Sequence, residues 1–279
     1  MRFASIVEAS TLAAATRSRL AKRDAIAACL RLAGGDEVAM AVAFLAGEIR
    51  QGRIGIGPAT LRALRGSAAA ESVLSVAEVD AVFDRIVATT GKGSAGLRAT
   101  QLGQLFARAL PAEQDFLVRL LLGELRQGAL EGVMIEAIAA ASGMAAAAVR
   151  RAVMFSGDLG LVAQTAAIGG ATGLAPFSIE LMRPVQPMLA QPAEDIADAL
   201  GRLGTAALEW KLDGARVQVH KSGGEVRVFT RNLNDVTVAV PEIVEIVGAL
   251  DADRLIIDGE AIALTAGGAP QPFQVTMRR

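Results

Sequence analysis

The chain has 279 residues, of which 52% are apolar and 20% are charged, so it is long enough to fold as two domains. Its net charge of −1 argues against a protein that binds nucleic acid through bulk positive charge. The single cysteine, Cys29, excludes an intramolecular disulfide and a multi-cysteine zinc site. The first residues do not show the basic region and long apolar core that predict a signal peptide, and no later apolar run has the length and lack of charge that predict a membrane span. We therefore expect a cytoplasmic protein without a membrane association.

The first 165 or so residues predict a series of short helices. Apolar residues recur at spacings of three and four in VAMAVAFLAGEIR (38–50) and EQDFLVRLLLGELR (113–126), as they do on one face of a helix. Pro111 stands just before the second run, and proline is favoured at the first helical position. This part of the chain is expected to be all-α.

An internal repeat lies within the helical part. LAGEIRQG at 45–52 recurs as LLGELRQG at 121–128, which indicates a duplicated helical unit. We expect a helix to end at Arg-Gln-Gly in each copy, where Gly52 and Gly128 adopt the left-handed conformation that closes helices. Arg50 and Arg126 are then either charges that complement the helix dipole or cations that reach phosphates beside a close-approaching glycine.

The pattern changes after a linker rich in glycine and proline. GGATGLAPFSIELMRPVQPMLAQP (169–192) places a domain boundary near residues 170 to 184, and we divide the chain into domains 1–175 and 176–279. Three β-branched runs predict strands: ARVQVHK, EVRVFTR and RLIIDGEAIALT, broken by Gly223-Gly224 and Gly267-Gly268. PEIVEIVGAL, opened by Pro241, predicts one more helix. The whole is an α+β multidomain chain.

The stretch EWKLDGAR (209–216) is the strongest candidate for chemistry. A lysine attacks phosphorus only as a free amine, and burial or nearby cations bring its pKa down towards neutrality. We expect AALEW (206–210) to form a strand that buries Lys211 at its end, with Gly214 turning into the next strand and Arg216 supplying a cation. The alternative for Lys-x-Asp-Gly is a surface hairpin with an Asp-Gly turn.

Lys-x-Asp-Gly-x-Arg resembles the nucleophile motif of covalent nucleotidyltransferases, the superfamily of DNA ligases, RNA ligases and mRNA capping enzymes. FTRNLNDVT, with Arg231, and IIDGEAIAL, with Glu260, resemble the second and third motifs of ATP-dependent DNA ligases. PVQPMLA (184–190) and PFQVTMRR (272–279) are similar to flanking segments of the same adenylation domain. The duplicated Gly-Glu-x-Arg-Gln-Gly region resembles the N-terminal DNA-binding domain of the larger ATP-dependent ligases.

The resemblance implies a role for each motif residue. Lys211 would attack the α-phosphate of ATP and hold AMP through a phosphoamide bond. Glu209 would contact the adenine amine, and Arg216 and Arg231 would bind ribose, phosphates or the 5′-phosphate of a nick. Glu260 would accept hydrogen bonds from ribose hydroxyls or help to hold Mg²⁺. As isolated residues, Arg231 and Glu260 are equally consistent with a surface arginine and a hairpin glutamate.

The partners implied by the resemblance are ATP, Mg²⁺ and nicked double-stranded DNA. The DNA would be held through Arg50, Gly52, Arg126 and Gly128. The resemblance also implies a monomer associated with the nucleoid, acting in DNA replication, repair or recombination. We expect His220, which falls just before a turn, to be a surface residue without a catalytic role. Trp210 is expected in the core, with stacking on adenine as the alternative.

The resemblance stops at Arg279, before the adenine-stacking aromatic residue, the last phosphate-contacting lysines and the OB-fold domain of such ligases. We therefore expect a fragment of a longer protein, or a truncated or split gene product, in which residues 1–279 alone neither seal nicks nor hold AMP stably. Two other functions stay open. One is a catalytically inactive fragment that binds DNA, and the other is a helical protein-interaction module joined to a degraded domain.

Overall fold

The computed structural model describes residues 1–64, 66, 68–125, 131–188 and 190–276. The chain divides into two compact units, Met1–Phe177 and Ser178–Arg279, and the division predicted after residue 175 lies close to this boundary. Within the described ranges, no helix has the length and apolar character that a membrane crossing requires.

The first unit is all-α, as the sequence predicts. Its helices are α1 (Phe3–Ala15), α2 (Arg19–Leu30), α3 (Glu37–Ala46), α4 (Pro58–Ala63), α5 (Val76–Ala88), α6 (Ser94–Ala107), α7 (Pro111–Leu122), α8 (Glu131–Ser142), α9 (Ala146–Ser156) and α10 (Leu159–Leu174). Pro111 opens α7, which confirms that expectation. Ser75 and Glu78 form a reciprocal capping box at the start of α5, which satisfies backbone amides that a helix end leaves unpaired.

The two repeated helices end earlier than predicted. α3 and α7 close at Gly47 (φ 86°) and Gly123 (φ 69°), both left-handed, and in each copy the following glutamate amide bonds back across the cap (Glu48 to Ala43 and Glu124 to Arg119). This is the glycine-closed helix end, so the expected closure of the first helix at Gly52 is wrong. Gly52 is also left-handed (φ 65°), but it lies in a separate turn in which its amide bonds to Ile49.

The duplication extends over three helices, α1–α3 and α5–α7. The six buried residues of α1 and the six buried residues of α5 follow the same spacing along their helices. The copies pack crosswise, because α3 contacts α5 and α7 contacts α1. Phe3 stands where the copies meet, with its ring edge-to-face against Phe44 (5.8 Å) and Phe116 (5.6 Å), and Phe44 continues the contact to Phe83 (6.1 Å).

The second unit is a small antiparallel sheet with helices. Its elements are α11 (Ile196–Leu203), β1 (Ala215–Ser222), β2 (Glu225–Thr230), a short 3-10 helix (Thr237–Ala239), α12 (Pro241–Gly248), β3 (Arg254–Ala261) and α13 (Phe273–Thr276). The strand order is β2-β1-β3. The three predicted strands and the helix from Pro241 are confirmed. The sequence pattern did not identify α11.

The core of the second unit is a layer of valines beneath α12. Val217, Val219, Val226 and Val228 of the sheet pack with Val247 of the helix. The buried Lys221 reaches under the end of α12, where its Nζ donates to the carbonyls of Gly248 (2.9 Å) and Leu250 (2.6 Å). A cation at this position complements the carbonyl end of the helix dipole.

Two expectations for single residues in this unit are wrong. Trp210 is 94% exposed rather than in the core, because the segment that carries it has no strand beside it. His220 is fully buried rather than at the surface, because the chain before α11 covers its face of β1. The apolar residues of α11, Ile196, Leu200 and Leu203, are all exposed.

Candidate functional site

Lys211 lies in an exposed segment that leads into β1. Residues 206–213 have no regular secondary structure, and residues 207–213 are all exposed, Glu209 among them. The predicted strand over 206–210 and the predicted burial of Lys211 are therefore wrong. The reason is the strand register: the partners of β1 begin at Ala261 on β3 and at Thr230 on β2, so the preceding residues extend past the two neighbouring strands.

The sheet brings three of the predicted site residues to one end. Arg216 at the start of β1 is paired with Glu260 near the end of β3. Val217 is paired with Thr230, the last residue of β2, and Arg231 follows directly as an exposed residue. The antiparallel order thus places Arg216, Arg231 and Glu260 at the same end of the sheet, where the Lys211 segment enters it.

The Asp-Gly of the lysine motif is held against β3. The amide of Gly214 donates to Glu260 Oε1 at 3.1 Å. A Cβ on Gly214 would lie 2.4 Å from the carbonyl oxygen of Ala261 and 2.6 Å from Ile262 Cγ2, so only glycine fits here. Glu260 therefore holds the backbone of the lysine motif, a contact that the sequence did not reveal.

Arg216 is paired with a carboxylate that sequence reasoning missed. Its Nε and Nη2 donate to the two oxygens of Asp258 at 3.0 and 2.5 Å, a two-pronged geometry that suits the guanidinium. This hydrogen bonding, together with the nearby negative charge, raises the pKa of Arg216 above its ordinary value. Alternation along β3 puts Asp258 on the same face as Glu260, and this spacing within IIDGE is the signal that could have found it.

The carboxylates at this end of the sheet are compatible with Mg²⁺. Among the residues that the structure describes, no three His, Cys, Asp or Glu side chains form a metal-binding cluster. Mg²⁺ in nucleotide-dependent enzymes is held by one or two carboxylates together with substrate phosphates and water. Glu260 fits that limited role, since a carboxylate that accepts one bond from Gly214 retains further acceptor sites.

Arg50 in the helical unit is already bound to two carboxylates. It contacts Asp80 and, at 3.0 Å, Asp84, both on α5. The side-chain amide of Gln51 donates to the same pair, at 3.1 Å to Asp80 and 2.8 Å to Asp84. Hydrogen bonding to Asp80, which is only 2% exposed, raises the pKa of Arg50 above its ordinary value. The cluster ties the loop after α3 to α5.

The second copy of the repeat differs from the first at this point. Arg126 and Gly128 lie outside the described residues. The shared burial spacing of α1 and α5 places Val7 where α5 has Asp80, and Thr11 where it has Asp84. The carboxylate pair that binds Arg50 is therefore not duplicated on α1.

Comparison with known families identifies both parts of the chain. Residues 187–279 match the family described as "ATP dependent DNA ligase domain", and residues 61–139 match "DNA ligase N terminus". The first range contains the whole lysine motif with its three strands, and the second lies within the helical unit.

Curated relatives are similar over almost the whole chain. A "Probable DNA ligase" of Anaeromyxobacter sp. (strain Fw109-5) is 57% identical over 281 residues, and those of Saccharopolyspora erythraea and Sorangium cellulosum are 53% and 50% identical. The matches cover 98 to 100% of this chain but 53 to 54% of those proteins, so the chain spans about half the length of the relatives. The solved structure named Pmar-Lig_PreS3 aligns with 98% of the chain and 52% of that structure at 16% identity, with a TM-score of 0.45.

Proposed function

The chain belongs to the ATP-dependent DNA ligase family, with its N-terminal and adenylation domains, and we propose that it serves to seal nicks in duplex DNA through AMP carried on Lys211. Residues 1–175 would bind the nicked duplex and residues 176–279 would bind the nucleotide. The observation that carries the proposal is the meeting of Arg216, Arg231 and Glu260 at the end of the sheet where the Lys211 segment enters.

The first chemical step falls to Lys211. Its unprotonated Nζ attacks the α-phosphorus of ATP, the N–P bond forms, and the bond to pyrophosphate breaks. The exposed position of Lys211 leaves its amine accessible to a nucleotide. A 5′-phosphate oxygen of the nick then attacks the phosphorus of the AMP, which breaks the N–P bond, frees the Lys211 amine and transfers AMP to DNA. Attack by the 3′-hydroxyl on the 5′-phosphorus forms the phosphodiester and releases AMP.

The neighbouring residues bind and orient in this proposal. Arg216, held by Asp258, and Arg231 would contact phosphate or ribose oxygens, and Glu209 would accept from the adenine amine. Glu260 keeps Gly214 in place and would contribute one carboxylate to Mg²⁺. When bound, Mg²⁺ neutralises charge on the triphosphate and acts as a Lewis acid.

Covalent labelling tests the nucleophile. The purified chain is incubated with ATP labelled at the α-phosphate and Mg²⁺, denatured, and analysed for the labelled residue. Label on Lys211 that is absent in Lys211→Ala and unchanged in Lys92→Ala, a matched change of an exposed lysine in the helical unit, would support Lys211 as the nucleophile. It would also overturn the expectation that residues 1–279 alone do not hold AMP stably. Label that survives Lys211→Ala would remove Lys211 from this role.

A second candidate function is DNA binding without catalysis by this chain. It is favoured by the lack of regular structure around Lys211 and by the exposure of residues 207–213, since catalytic groups are usually fixed by their surroundings. In that case the chain binds nicked duplex in gel-shift measurements, Lys211→Ala binds equally well, and no variant retains label after denaturation.

The DNA contacts of the two repeated loops are tested separately. Arg50, Gly52, Arg126 and Gly128 are proposed to approach the duplex backbone, although Asp80 and Asp84 already neutralise Arg50. Each lost phosphate contact lowers the slope of log affinity against log salt by about one. Arg126→Ala is expected to lower the slope. An unchanged slope in Arg50→Ala would assign Arg50 to the structure of its loop alone.

A further inference from the structure

Two buried polar side chains of β1 bind the backbone of the segment before α11. Gln218 and His220 lie on the same face of β1, opposite the face that packs on α12, and are 7% and 0% exposed. The Val185 amide donates to Gln218 Oε1 at 2.9 Å, and Gln218 Nε2 donates back to the Val185 carbonyl. The Met182 amide donates to Nδ1 of His220 at 3.0 Å. Residues 182–185 are thus attached to β1 at two points.

The backbone at Met182 depends on this attachment. Met182 has a φ of 66°, in the left-handed region that side-chain-bearing residues rarely adopt. Such a conformation is unfavourable by itself and persists only where surrounding contacts hold it. The bond from its amide to His220 is one such contact.

The bond from Met182 requires a neutral imidazole. Nδ1 accepts only when it carries no proton, which places the single proton on Nε2. Nε2 is buried without a hydrogen-bond partner among the described residues. The ring packs edge-to-face on Phe229 at 5.2 Å, and burial lowers the pKa of His220 below its ordinary value.

Charged groups also face His220 from each neighbouring element. Arg227 stands directly opposite on β2, and on β3 Arg254 and Asp258 flank the opposite residue, Ile256. Glu180 and Arg183 flank Met182 in the attached segment. Histidine is the side chain whose ordinary pKa lies between about pH 5 and about pH 8, so the titration expected at this contact in that range is that of His220.

We propose that Gln218 and His220 anchor residues 182–185 to β1, and that acid releases the His220 half of this anchor by placing a proton on Nδ1. The Met182 amide then loses its acceptor, whereas Gln218 holds Val185 irrespective of pH. Since the folded state favours neutral His220, the stability from the anchor is complete above the ordinary value near 6.5. It is lost as pH falls from there through the lower folded value.

The anchor has a place in the architecture of the candidate site. β1 begins at Ala215, directly after Gly214, and carries Arg216. The strand that residues 182–185 hold from one side is therefore the continuation of the lysine motif. The proposal does not depend on the ligase activity, because its test reads two backbone amides in the absence of nucleotide and DNA.

Amide hydrogen exchange measured by NMR tests the anchor. Protection factors, corrected for the intrinsic pH dependence of exchange, are compared for Met182 and Val185 from about pH 8 to about pH 5. We expect the protection of Met182 to fall by about tenfold or more in the wild type as pH is lowered. Val185 is expected to change by less than about twofold.

Two variants separate the titration from the packing. His220→Asn keeps a side-chain oxygen that can accept from Met182 but does not titrate, so its Met182 protection is expected to be independent of pH. His220→Leu removes the acceptor and is expected to leave Met182 weakly protected at every pH. Equal loss at Met182 and Val185, a pH-independent Met182 in the wild type, or the same pH-dependent loss in His220→Asn would each overturn the proposal. The wild-type and His220→Asn comparison suffices if His220→Leu does not fold.

Discussion

The two units of the chain are held together in different ways. The helical unit packs its repeated helices around buried phenylalanine rings, with Phe3, Phe44 and Phe83 each fully buried. The second unit has a valine layer under α12, supplemented by Lys221, Gln218 and His220, each of which binds backbone groups. Many apolar contacts stabilise the first unit, whereas in the second unit a few hydrogen bonds fix the positions of chain segments against the sheet.

The difference bears on the candidate chemistry. The lysine motif enters the second unit through an exposed segment, and its described support is the contact of Gly214 with Glu260. Leu208 and Trp210, on either side of Glu209, are 88% and 94% exposed. The structure thus fixes the end of the sheet more firmly than it fixes Lys211.

The largest effect is expected where the helical core is broken. Phe44→Ala removes a fully buried ring that contacts Phe3 and Phe83, and we expect it to lower the free energy of unfolding of the first unit by about 3–5 kcal/mol. Denaturant-dependent hydrogen exchange by mass spectrometry reports each unit separately. Val228→Ala, the matched change in the second unit, should cost about 1–2 kcal/mol and affect only that unit. Equal loss in both units after Phe44→Ala would contradict the comparison.

A smaller effect is expected at the glycine of the lysine motif. In Gly214→Ala the new Cβ meets the backbone oxygen of Ala261, which must move, so we expect a loss of about 1–3 kcal/mol in the second unit. Thermal unfolding monitored by circular dichroism measures it. Gly224→Ala is the control, because nothing lies within 4 Å of the position that its Cβ would take and its stability should change by less than about 0.5 kcal/mol. Similar losses in the two variants would show that the contact with β3 does not constrain the motif.

The carboxylates that hold Arg50 predict a graded effect within the helical unit. Asp80 is buried and Asp84 is 54% exposed. Asp80→Asn leaves Arg50 and Gln51 with a poorer acceptor, which we expect to cost about 1–2 kcal/mol. Asp84→Asn removes an exposed pair worth at most about 0.5 kcal/mol. Urea unfolding of both variants measures the difference, and equal costs would mean that the burial of Asp80 does not strengthen the cluster.

Local pattern predicted most of the elements. The β-branched alternation of ARVQVHK, EVRVFTR and RLIIDGEAIALT predicted β1, β2 and β3, because this alternation is a local property that each segment carries by itself. AALEW (206–210) was wrongly predicted as a strand. Its apolar residues satisfy the composition of a strand, but a strand also requires a partner, and β2 and β3 do not extend that far.

The contacts of the site depend on residues far apart in sequence. The repeat identifies Arg50 as a residue of interest, but it does not identify the carboxylates that bind it. These lie on α5, 30 and 34 residues later in the sequence. Gln218 and His220 are polar residues two positions apart on β1, a pattern typical of a strand face that is exposed to solvent. Residues 182–185, which are distant in sequence, cover that face and bury both side chains. Arg216, Arg231 and Glu260 lie at the same end of the sheet because of the strand register, which follows from the hydrophobic pattern.

The smallest expected effect is a pH dependence in the helical unit. Hydrogen bonds from Arg108 and then from Ser75 lower the pKa of Glu78 from 4.5 to about 2. A carboxylate with a depressed folded pKa adds stability above its unfolded value, and that stability is lost as pH falls from about 4.5 towards about 2. Because Glu78 is 45% exposed, solvent screening limits the contribution to less than about 1 kcal/mol.

Glu78→Gln should therefore reduce the pH dependence of the free energy of unfolding of the helical unit between about pH 5 and about pH 2. At neutral pH the variant should be slightly less stable than the wild type. Glu71→Gln, a change of another exposed glutamate, serves as the control and should retain the wild-type slope. The glutamine side chain still offers an oxygen to the Ser75 amide, so the capping hydrogen bond is kept. A reduced pH dependence in this variant is therefore due to the lost charge and not to a lost cap. Urea midpoints measured across this pH range decide the matter. A slope that Glu78→Gln leaves intact would assign the acid sensitivity of the unit to other carboxylates.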